Sequence, residues 1–292
     1  MYEVNLVYDA QAQLGEGPVW DPINARLYWV DILASKIHIC DPSHPLASSH
    51  IEVGPYVSSV IPRQSGGFVL TLQDGFYAYD SETSELTLLA KVEGPELGNR
   101  MNDGKCDPNG RYLAGSMSLN DQAGNGKLYS MDVDHTVKTL VSEVNLSNGL
   151  AWTPDGTTLY FIDTPTRQVF AFDYDASTGT ASNRRAAITV PEAEGYPDGM
   201  TIDSQGMLWI AHWGGWQVTR WNPLTGEKLL SVPIPASQVT SCTFGGPELD
   251  ELFITTARVG LNAEQLEAQP HAGGVFRVKA GVTGLPVERF RG

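Results

Sequence analysis

The amino-acid sequence predicts an all-β fold, a six-bladed β-propeller with four antiparallel strands in each blade. Three observations support this prediction. Short segments in which apolar and polar residues alternate run from one end of the chain to the other, and turns rich in Gly, Pro, Asp and Asn separate them. Amphipathic helix patterns are nearly absent. A segment of one design recurs every 42 to 50 residues, and repeats of about that length are typical of propeller blades.

The recurring segment keeps its residues in a fixed order. A polar residue, usually followed by Gly, begins a short strand; five positions later an Asp or Thr opens a turn; a second strand rich in aromatic and aliphatic residues follows. The four clear copies are EGPVWDPINARLYWVDI, NDGKCDPNGRYLAGSM, NGLAWTPDGTTLYFIDT and DGMTIDSQGMLWIAHW. Two weaker copies complete a series of six, whose first polar residues are Glu16, Ser58, Asn102, Asn148, Asp198 and Thr240.

The segments between these copies complete the blades. Stretches such as GFYAYDSETSEL and RQVFAFDYDAST predict a third strand, a tight turn and a fourth strand, which makes four strands in each unit. Six units account for essentially the whole chain, so we expect a single domain over residues 1–292. The N-terminal segment YEVNLVY is expected to pair within the last blade and protect its edge. The least regular segments, 181–196 and 261–271, are expected to be loops.

Composition excludes several classes of protein. The formal net charge of −15 and the lack of any Lys/Arg cluster argue against a nucleic-acid partner. The N-terminus has no basic region followed by an apolar run, and no segment approaches the roughly 18 apolar residues of a membrane span, so we expect a cytoplasmic protein without a membrane partner. Three widely separated cysteines fit reduced packing residues. No long apolar stripe is evident, which favours a monomer.

The first polar residues of the six copies suggest a metal site in the central channel. The innermost strand of each blade lines that channel, so residues in equivalent register converge on its axis. Two carboxylates and two carboxamides there would repel or stay unsatisfied unless a cation lay between them. An all-oxygen set favours Ca²⁺, Mg²⁺ or Mn²⁺, and Zn²⁺ stays a candidate because it also accepts carboxylate oxygen. The alternative is that these residues bond only to neighbouring backbone and water.

Four motifs in the chain resemble those of a known family. LGEGPVWD, NRMNDGKCDPNGRYLAGSM, SNGLAW and YPDGMTIDSQGMLWIAHW are similar to the senescence marker protein 30, gluconolactonase and luciferin-regenerating enzyme family, and the resemblance covers nearly the whole chain. It implies a six-bladed propeller that hydrolyses a sugar (aldono) lactone to the aldonic acid. It also implies one divalent ion held by Glu16, Asn148 and Asp198, with Arg100 and Asn102 contacting the substrate.

One motif departs from the family pattern. Many relatives carry an acidic residue after the G-[ST]-M turn, whereas this chain reads GSMSLND, with Leu119 and Asn120 there. We keep Asn120 as a candidate substrate-binding residue. Because the missing carboxylate would bond a substrate hydroxyl, the identity of the sugar and its ring size stay open.

The chemistry of a lactone gives roles to the candidate residues. Hydrolysis places negative charge on the carbonyl oxygen, and a cation bound to that oxygen stabilises the charge as a Lewis acid. The attacking water must lose a proton, and Asp198 is the candidate catalytic base. Because coordination to a cation lowers the basicity of a carboxylate, a metal-bound hydroxide is an alternative nucleophile.

Two other functions are compatible with the same metal site. A related propeller could hydrolyse phosphotriesters or aryl esters, and an aromatic-lined pocket would favour that class. A non-catalytic calcium-binding propeller is the other alternative. His212, Trp213 and Trp216 are interpreted as packing or loop residues rather than platforms for a sugar.

Overall fold

The structure, a computed structural model, describes residues 2–94 and 98–292. Within these ranges the chain is all-β, with 24 strands and one short α-helix, α1, at Ala263–Ala268. The predicted domain span of 1–292 also contains Met1 and residues 95–97, which lie outside the described residues. In the described part of the chain no helix is long and apolar enough to cross a membrane.

Four sheets are meanders of four antiparallel strands that pair in chain order. The first holds β2–β5, at Gly15–Asp21, Arg26–Asp31, Lys36–Cys40 and Ser49–Glu52. The second holds β6–β9, at Ser59–Pro62, Phe68–Leu72, Gly75–Tyr79 and Leu86–Lys91. The third holds β10–β13, at Asn99–Cys106, Tyr112–Ser118, Gly126–Met131 and Val137–Val144. The fourth holds β14–β17, at Ser147–Trp152, Thr158–Asp163, Gln168–Asp175 and Thr180–Thr189.

The remaining eight strands form one larger sheet. They are β1 and β18–β24, at Asn5–Tyr8, Tyr196–Ile202, Leu208–Trp213, Gln217–Asn222, Glu227–Pro233, Gln238–Gly245, Glu251–Ala257 and Val275–Lys279. One part is the meander β18-β19-β20-β21 and the other is β22-β23-β24 with β1 beside β24. The two parts are joined by one residue pair, Trp213 with Gln238.

The all-β class and the repeated four-stranded antiparallel sheets are confirmed, and they are the arrangement of a β-propeller. The described residues form five sheets rather than six separate ones. The expected pairing of the N-terminal strand is also confirmed, because β1 lies antiparallel to β24, the last strand of the chain. This pairing leaves β24 without an open edge.

The two segments expected to be loops contain regular structure. The expectation for 181–196 is wrong over 181–189, because strand β17 covers Thr180–Thr189, and α1 lies within 261–271. Strand β17 is the outermost strand of its sheet and most of its side chains are exposed, so its sequence has little apolar alternation to reveal it.

The core lies between neighbouring sheets and between the two parts of the eight-stranded sheet. Phe76 of β8 meets Tyr112 of β11 edge to face with ring centroids 5.5 Å apart, and Trp209 of β19 meets Phe244 of β22 in the same way at 5.8 Å. Such pairs contribute beyond the area they bury. The three cysteines are free and buried, as predicted for packing residues. The core thus fixes each sheet against the next.

Three copies of the recurring segment have an Asp five positions after their first polar residue. The carboxylate of this Asp closes the turn. In the fifth copy, Asp203 Oδ1 accepts the backbone N–H groups of the turn, and its Oδ2 accepts from Trp209 Nε1 at 2.9 Å and Arg220 Nε at 2.7 Å. Asp107 does the same with Arg111 and Tyr174. These carboxylates are therefore buried but neutralised and fully hydrogen-bonded.

Candidate functional site

Polar side chains from the first strands of four meanders meet at one cavity of about 370 Å³. Four of the six equivalent residues predicted to converge, Glu16, Asn102, Asn148 and Asp198, lie on its wall. The full lining is Leu14, Glu16, Ile32, Arg100, Asn102, Met117, Leu146, Asn148, Thr164, Pro165, Tyr196, Asp198 and Trp213. The cavity therefore combines a polar cluster with a wall of apolar and aromatic residues. The polar cluster consists of Glu16, Arg100, Asn102, Asn148 and Asp198.

A local irregularity in each strand aims these polar side chains. The pairing register shifts between Glu16 and Val19 in β2, between Ser147 and Leu150 in β14, and between Pro197 and Met200 in β18. A β-bulge re-aims a side chain out of the regular alternation, and bulges are common beside functional sites. The same device recurs in β10 at the position of Asn102. Glu16, Asn102, Asn148 and Asp198 thus lie where their strands depart from the regular ladder.

The Gly that follows the polar residue lets neighbouring first strands approach closely. A Cβ on Gly149 would lie 2.7 Å from Met200 Cγ and 2.9 Å from the Asp198 carbonyl oxygen. A Cβ on Gly199 would lie 2.1 Å from Ser241 Oγ. A larger residue at either position would push the strands that carry the polar cluster apart.

Glu16 and Asp198 are buried carboxyl groups whose pKa values are both raised. For Glu16, burial is the main cause, and repulsion from Asp198 and Asp103 adds to it, against the Gly17 N–H and Arg100. For Asp198, burial again dominates and Asp103 adds to it, while contacts with Asn148 and Glu16 oppose it. Two carboxylates packed this closely need a positive partner to be ionised together.

Asn148 supplies an amide oxygen that the protein itself leaves free. Its Nδ2 donates to Thr164 Oγ1 at 3.0 Å, and Thr164 Oγ1 in turn donates to the Pro197 carbonyl at 2.8 Å. This chain of hydrogen bonds fixes the amide, and the buried Oδ1 has no hydrogen-bond partner. A buried polar oxygen without a partner is costly, so Oδ1 needs a ligand.

The three residues fit a hard divalent cation. Two carboxylates with raised pKa values and one free amide oxygen line the same cavity, and oxygen donors of this kind suit Ca²⁺ or Mg²⁺. Within the described ranges no three His, Cys, Asp or Glu side chains form a metal-binding group. The candidate set therefore depends on the oxygen of Asn148 as its third donor.

The other two members of the series are satisfied within the fold. Ser58 Oγ lies 2.8 Å from Thr71 Oγ1, and Thr240 Oγ1 donates to the Gly15 carbonyl at 2.6 Å. Neither residue lines the cavity. For these two positions the alternative of bonding only to neighbouring groups is the one observed.

Arg100 and Asn102 lie together on the cavity wall. Arg100 Nη1 donates to Asn102 Oδ1 at 2.7 Å and to the Met101 carbonyl at 2.9 Å. Asn102 Nδ2 donates to the Ser147 carbonyl at 2.7 Å, so both ends of its amide are bonded. Burial lowers the pKa of Arg100 to about 10, while Glu16 among its neighbours acts to raise it. The guanidinium is therefore charged at neutral pH.

Asn120 does not line the cavity. Its side chain is exposed and lies against Gly98, where an added Cβ would come 2.5 Å from Asn120 Nδ2. Its backbone N–H is bonded to Ser118 Oγ at 3.1 Å. The role of Asn120 in substrate binding stays a prediction. From the same segment, Met117 is the residue that reaches the cavity.

Sequence reasoning misses several residues of the site. Thr164, which orients Asn148, belongs to a single short 3-10 helix, Thr164–Thr166, and no repeat signals it. Tyr196 and Trp213 also line the cavity, so the interpretation of Trp213 as a packing or loop residue is incomplete. His212 fits that interpretation, since it is buried with both ring nitrogens within hydrogen-bond distance of Glu194 and Thr219.

Comparison with known proteins places the chain in a family. The model of the SMP-30/Gluconolactonase/LRE-like region matches residues 14–258. The chain is 37% identical to YvrE of Bacillus subtilis (strain 168), provisionally named a sugar lactone lactonase, over 97% of each chain, and 40% identical to Homo sapiens regucalcin over 99% of each. The crystal structure of Agrobacterium tumefaciens regucalcin, described as a calcium-binding protein, superposes with a TM-score of 0.94 at 28% identity, covering 99% of this chain and 98% of that one. The chain therefore belongs to the SMP-30/gluconolactonase/LRE-like family.

Proposed function

We propose that the protein hydrolyses a sugar lactone to its aldonic acid and that this activity depends on one divalent cation. The observation that carries the proposal is the unpartnered buried oxygen of Asn148 beside two carboxyl groups with raised pKa values, in a cavity that also holds Arg100. Membership of a family that includes gluconolactonases, and the name of the Bacillus relative, support the same reaction.

Glu16, Asn148 and Asp198 would hold the cation. When bound, the cation supplies Lewis-acid polarisation of the lactone carbonyl. Ca²⁺ is the first candidate because the Agrobacterium relative is described as calcium-binding, and Zn²⁺, Mg²⁺ and Mn²⁺ are also compatible with oxygen donors.

The remaining polar residues orient and activate the reactants. The N–H groups of Arg100 that are not bonded to Asn102 or Met101 donate to ring or hydroxyl oxygens, and Asn102 keeps the guanidinium in place. A carboxylate oxygen of Asp198 accepts a proton from the attacking water. As the ester bond breaks, the ring oxygen leaves as an alkoxide and takes up that proton, so the products are one carboxylic acid and one hydroxyl group.

The architecture that we propose is a single six-bladed, monomeric, cytoplasmic propeller. The eight-stranded sheet would count as two blades, β18–β21 and β22–β24 with β1, because only the Trp213–Gln238 pair joins them. The cation site then lies in the channel that the first strands of the blades surround.

A panel of aldonolactones tests the proposal. Metal-stripped protein is assayed with a pH indicator, and each divalent cation is restored in turn. We expect turnover of one or two lactones that appears only with a cation. Absence of turnover with every cation would contradict the proposal.

Aryl-ester or phosphotriester hydrolysis is a second candidate for the same cavity. The observation in its favour is that Tyr196 and Trp213 line the wall, since an aromatic lining suits an aryl leaving group. Phenyl acetate and a p-nitrophenyl phosphotriester in the same assay separate the two. Turnover of these substrates that exceeds turnover of every aldonolactone would favour the second candidate.

A further inference from the structure

Two aromatic residues stand side by side on the cavity wall. Tyr196 of β18 and Trp213 of β19 are directly paired across the two antiparallel strands, so their side chains share one face of the sheet. Both line the cavity that contains Asp198, which follows Tyr196 by two residues on the same strand. Tyr196 is 42% exposed, so part of its surface is available to a ligand.

Arg167 fixes the position of Tyr196. Its guanidinium lies over the Tyr196 ring, 3.8 Å from the centroid, and its Nη1 donates to the Gly195 carbonyl at 2.7 Å. Gly195 is itself closely packed, since an added Cβ would lie 2.6 Å from the Trp213 carbonyl oxygen. The segment before Tyr196 is therefore held against the strand that carries Trp213.

One short helix connects this aromatic pair with the candidate cation site. The 3-10 helix Thr164–Thr166 begins with the residue that orients Asn148 and is followed by Arg167, whose φ of 59° is in the left-handed region. The position of the aromatic pair relative to the cation site is thus set by three consecutive residues and a cap.

Apart from Glu16, Arg100, Asn148 and Asp198, the cavity lining has few hydrogen-bonding groups left for a ligand, because Leu14, Ile32, Met117, Leu146 and Pro165 are apolar. Both ends of the Asn102 amide are bonded within the protein, and Thr164 Oγ1 accepts from Asn148 and donates to Pro197. A hydroxyl group placed against the ring faces or against these apolar side chains loses its bonds to water without gaining a partner, whereas a methyl group there gains from burial. The wall therefore favours a ligand with fewer hydroxyl groups.

We propose that Tyr196 and Trp213 form an aromatic wall that selects a deoxy sugar lactone, in which a methyl group replaces the terminal hydroxymethyl group. The inference rests on the proposed lactone hydrolysis and names its substrate class. Tyr196 and Trp213 determine specificity by contact with the methyl-bearing part of the ring, and Arg167 is a positioning residue that acts through Tyr196.

A matched pair of substrates tests the inference. L-Fuconolactone and L-galactonolactone differ only in carrying a methyl or a hydroxymethyl group at the terminal carbon. With the cation restored, the wild-type protein should show a kcat/KM about ten- to a hundredfold higher for L-fuconolactone, the range that a hydrophobic pocket gives for one added hydroxyl. Tyr196→Ser and Trp213→Ser should reduce this ratio to near one, mainly by raising KM for L-fuconolactone.

Two further variants separate positioning from a general loss of structure. Arg167→Gln should lower the substrate ratio with kcat nearly unchanged, and Arg167→Lys, which keeps a cation over the ring, should restore part of it. Trp216→Ser is the matched control, because Trp216 is 44% exposed and does not line the cavity. It should leave the ratio at the wild-type value.

A binding measurement keeps the inference distinct from the proposed reaction. L-Fucose and L-galactose have the same difference in a stable ring without an ester, so each is titrated into metal-free protein and followed by tryptophan fluorescence. Tighter binding of L-fucose that is lost in Tyr196→Ser supports the wall even if no lactone is hydrolysed, in which case only the proposed function fails. Equal kcat/KM values for the two lactones, or a ratio unchanged in both wall variants, would overturn the inference, as would equal binding of the two sugars.

Discussion

Buried carboxyl groups occur at two fixed positions of the repeat, the turn position with Asp21, Asp107 and Asp203 and the cavity position with Glu16 and Asp198, and the two sets differ in what surrounds them. The turn aspartates, such as Asp203, are held by backbone N–H groups, an indole N–H and an arginine. Asp198, five residues earlier in the same copy, faces the charge of Asp103 and contacts a second carboxyl group, Glu16. Both aspartates are almost completely buried.

This difference in surroundings separates the turn position, which has a structural role, from the cavity position, to which we assign a functional one. In the turn set, every negative charge has a partner within the protein, so it stabilises the fold. For Asp21, burial raises the pKa, but hydrogen bonds from Asn24 and Arg289 outweigh that effect and the pKa is lowered. For Glu16 and Asp198, which we call the cavity set, burial and the charge of Asp103 raise the pKa values, and the contacts within the protein, Arg100 included, do not offset this effect. The site is therefore identified by the hydrogen-bond and charge partners of each buried carboxyl group, and not by the sequence repeat alone.

The largest effect that we expect is on activity, from Asp198→Asn. The substitution removes both a candidate ligand and the proposed base, so kcat should fall about 10²- to 10⁴-fold. Asp203→Asn is the comparison variant from the turn set, and its folded fraction should keep the wild-type kcat. Equal losses of kcat in the two variants, measured with the preferred aldonolactone, would remove the distinction between the sets.

For stability, in contrast to activity, we expect the turn-set variant Asp203→Asn to show a large loss. Asp203→Asn leaves the partly buried guanidinium of Arg220 without its counter-charge, and because breaking a fully buried ion pair costs about 3–5 kcal/mol, we expect a loss at or below the lower end of that range. Urea denaturation of the metal-free proteins measures this loss. Asp155→Asn, at an exposed turn position of the fourth copy, is the control and should leave the midpoint nearly unchanged. A midpoint for Asp203→Asn close to the wild-type value would mean that the turn set does not stabilise the fold.

Thr164 should affect cation binding in the cavity through its hydrogen bond with Asn148. Thr164→Val removes the hydroxyl that accepts from Asn148 Nδ2 and donates to Pro197, so the free amide oxygen loses its orientation. Cation affinity should weaken about 10- to 100-fold, as for other groups that orient a metal ligand. Thr164→Ser keeps the hydroxyl and should bind the cation like the wild type. Calorimetric titration distinguishes them, and identical affinities for Val and Ser would contradict the role of Thr164.

A smaller effect concerns pH and the metal-free protein. Carboxyl groups whose folded pKa is raised contribute stability that is complete below their unfolded pKa values, near 3.8 and 4.5, and that is lost as the pH rises through the folded pKa. Metal-free protein should therefore lose stability as the pH is raised above this range. Asp198→Asn should reduce this loss, because the amide has no proton to release as the pH rises.

Melting temperatures between pH 4 and pH 8 measure this dependence in wild type and Asp198→Asn, with Ser58→Ala as a control from the same register. Saturating Ca²⁺ should remove the dependence in the wild type. A steeper loss of stability with rising pH in Asp198→Asn than in the wild type would contradict the account of the cavity set.

Much of the fold and part of the site can be predicted from the sequence. The constant register of the six copies predicts that Glu16, Asn102, Asn148 and Asp198 converge, and the four do line one cavity. The exposed strand β17 escapes prediction because an outer strand needs little apolar pattern. The repeat thus predicts the first strand of each copy, where packing constrains every position, and does not predict the exposed outer strand β17.

Partners supplied by other segments cannot be predicted in the same way. Thr240 shares the register of Asp198, yet its hydroxyl is bonded to the Gly15 carbonyl from the opposite end of the sequence. Tyr196 and Trp213 reach the cavity because a strand pairing brings them together, and neither belongs to the polar series. Asn120 is predicted from a family position, but its side chain lies at Gly98 outside the cavity lining.

Calorimetric titration of metal-stripped protein with Ca²⁺ tests the central claim most directly, with wild type, Asn148→Ala and Ser58→Ala compared in parallel. Asn148 provides the free oxygen, whereas Ser58 occupies the same register with its hydroxyl bonded to Thr71. The account predicts one cation per chain in the wild type and in Ser58→Ala, and loss of binding in Asn148→Ala. Equal binding by all three proteins, or no binding by the wild type, would contradict it.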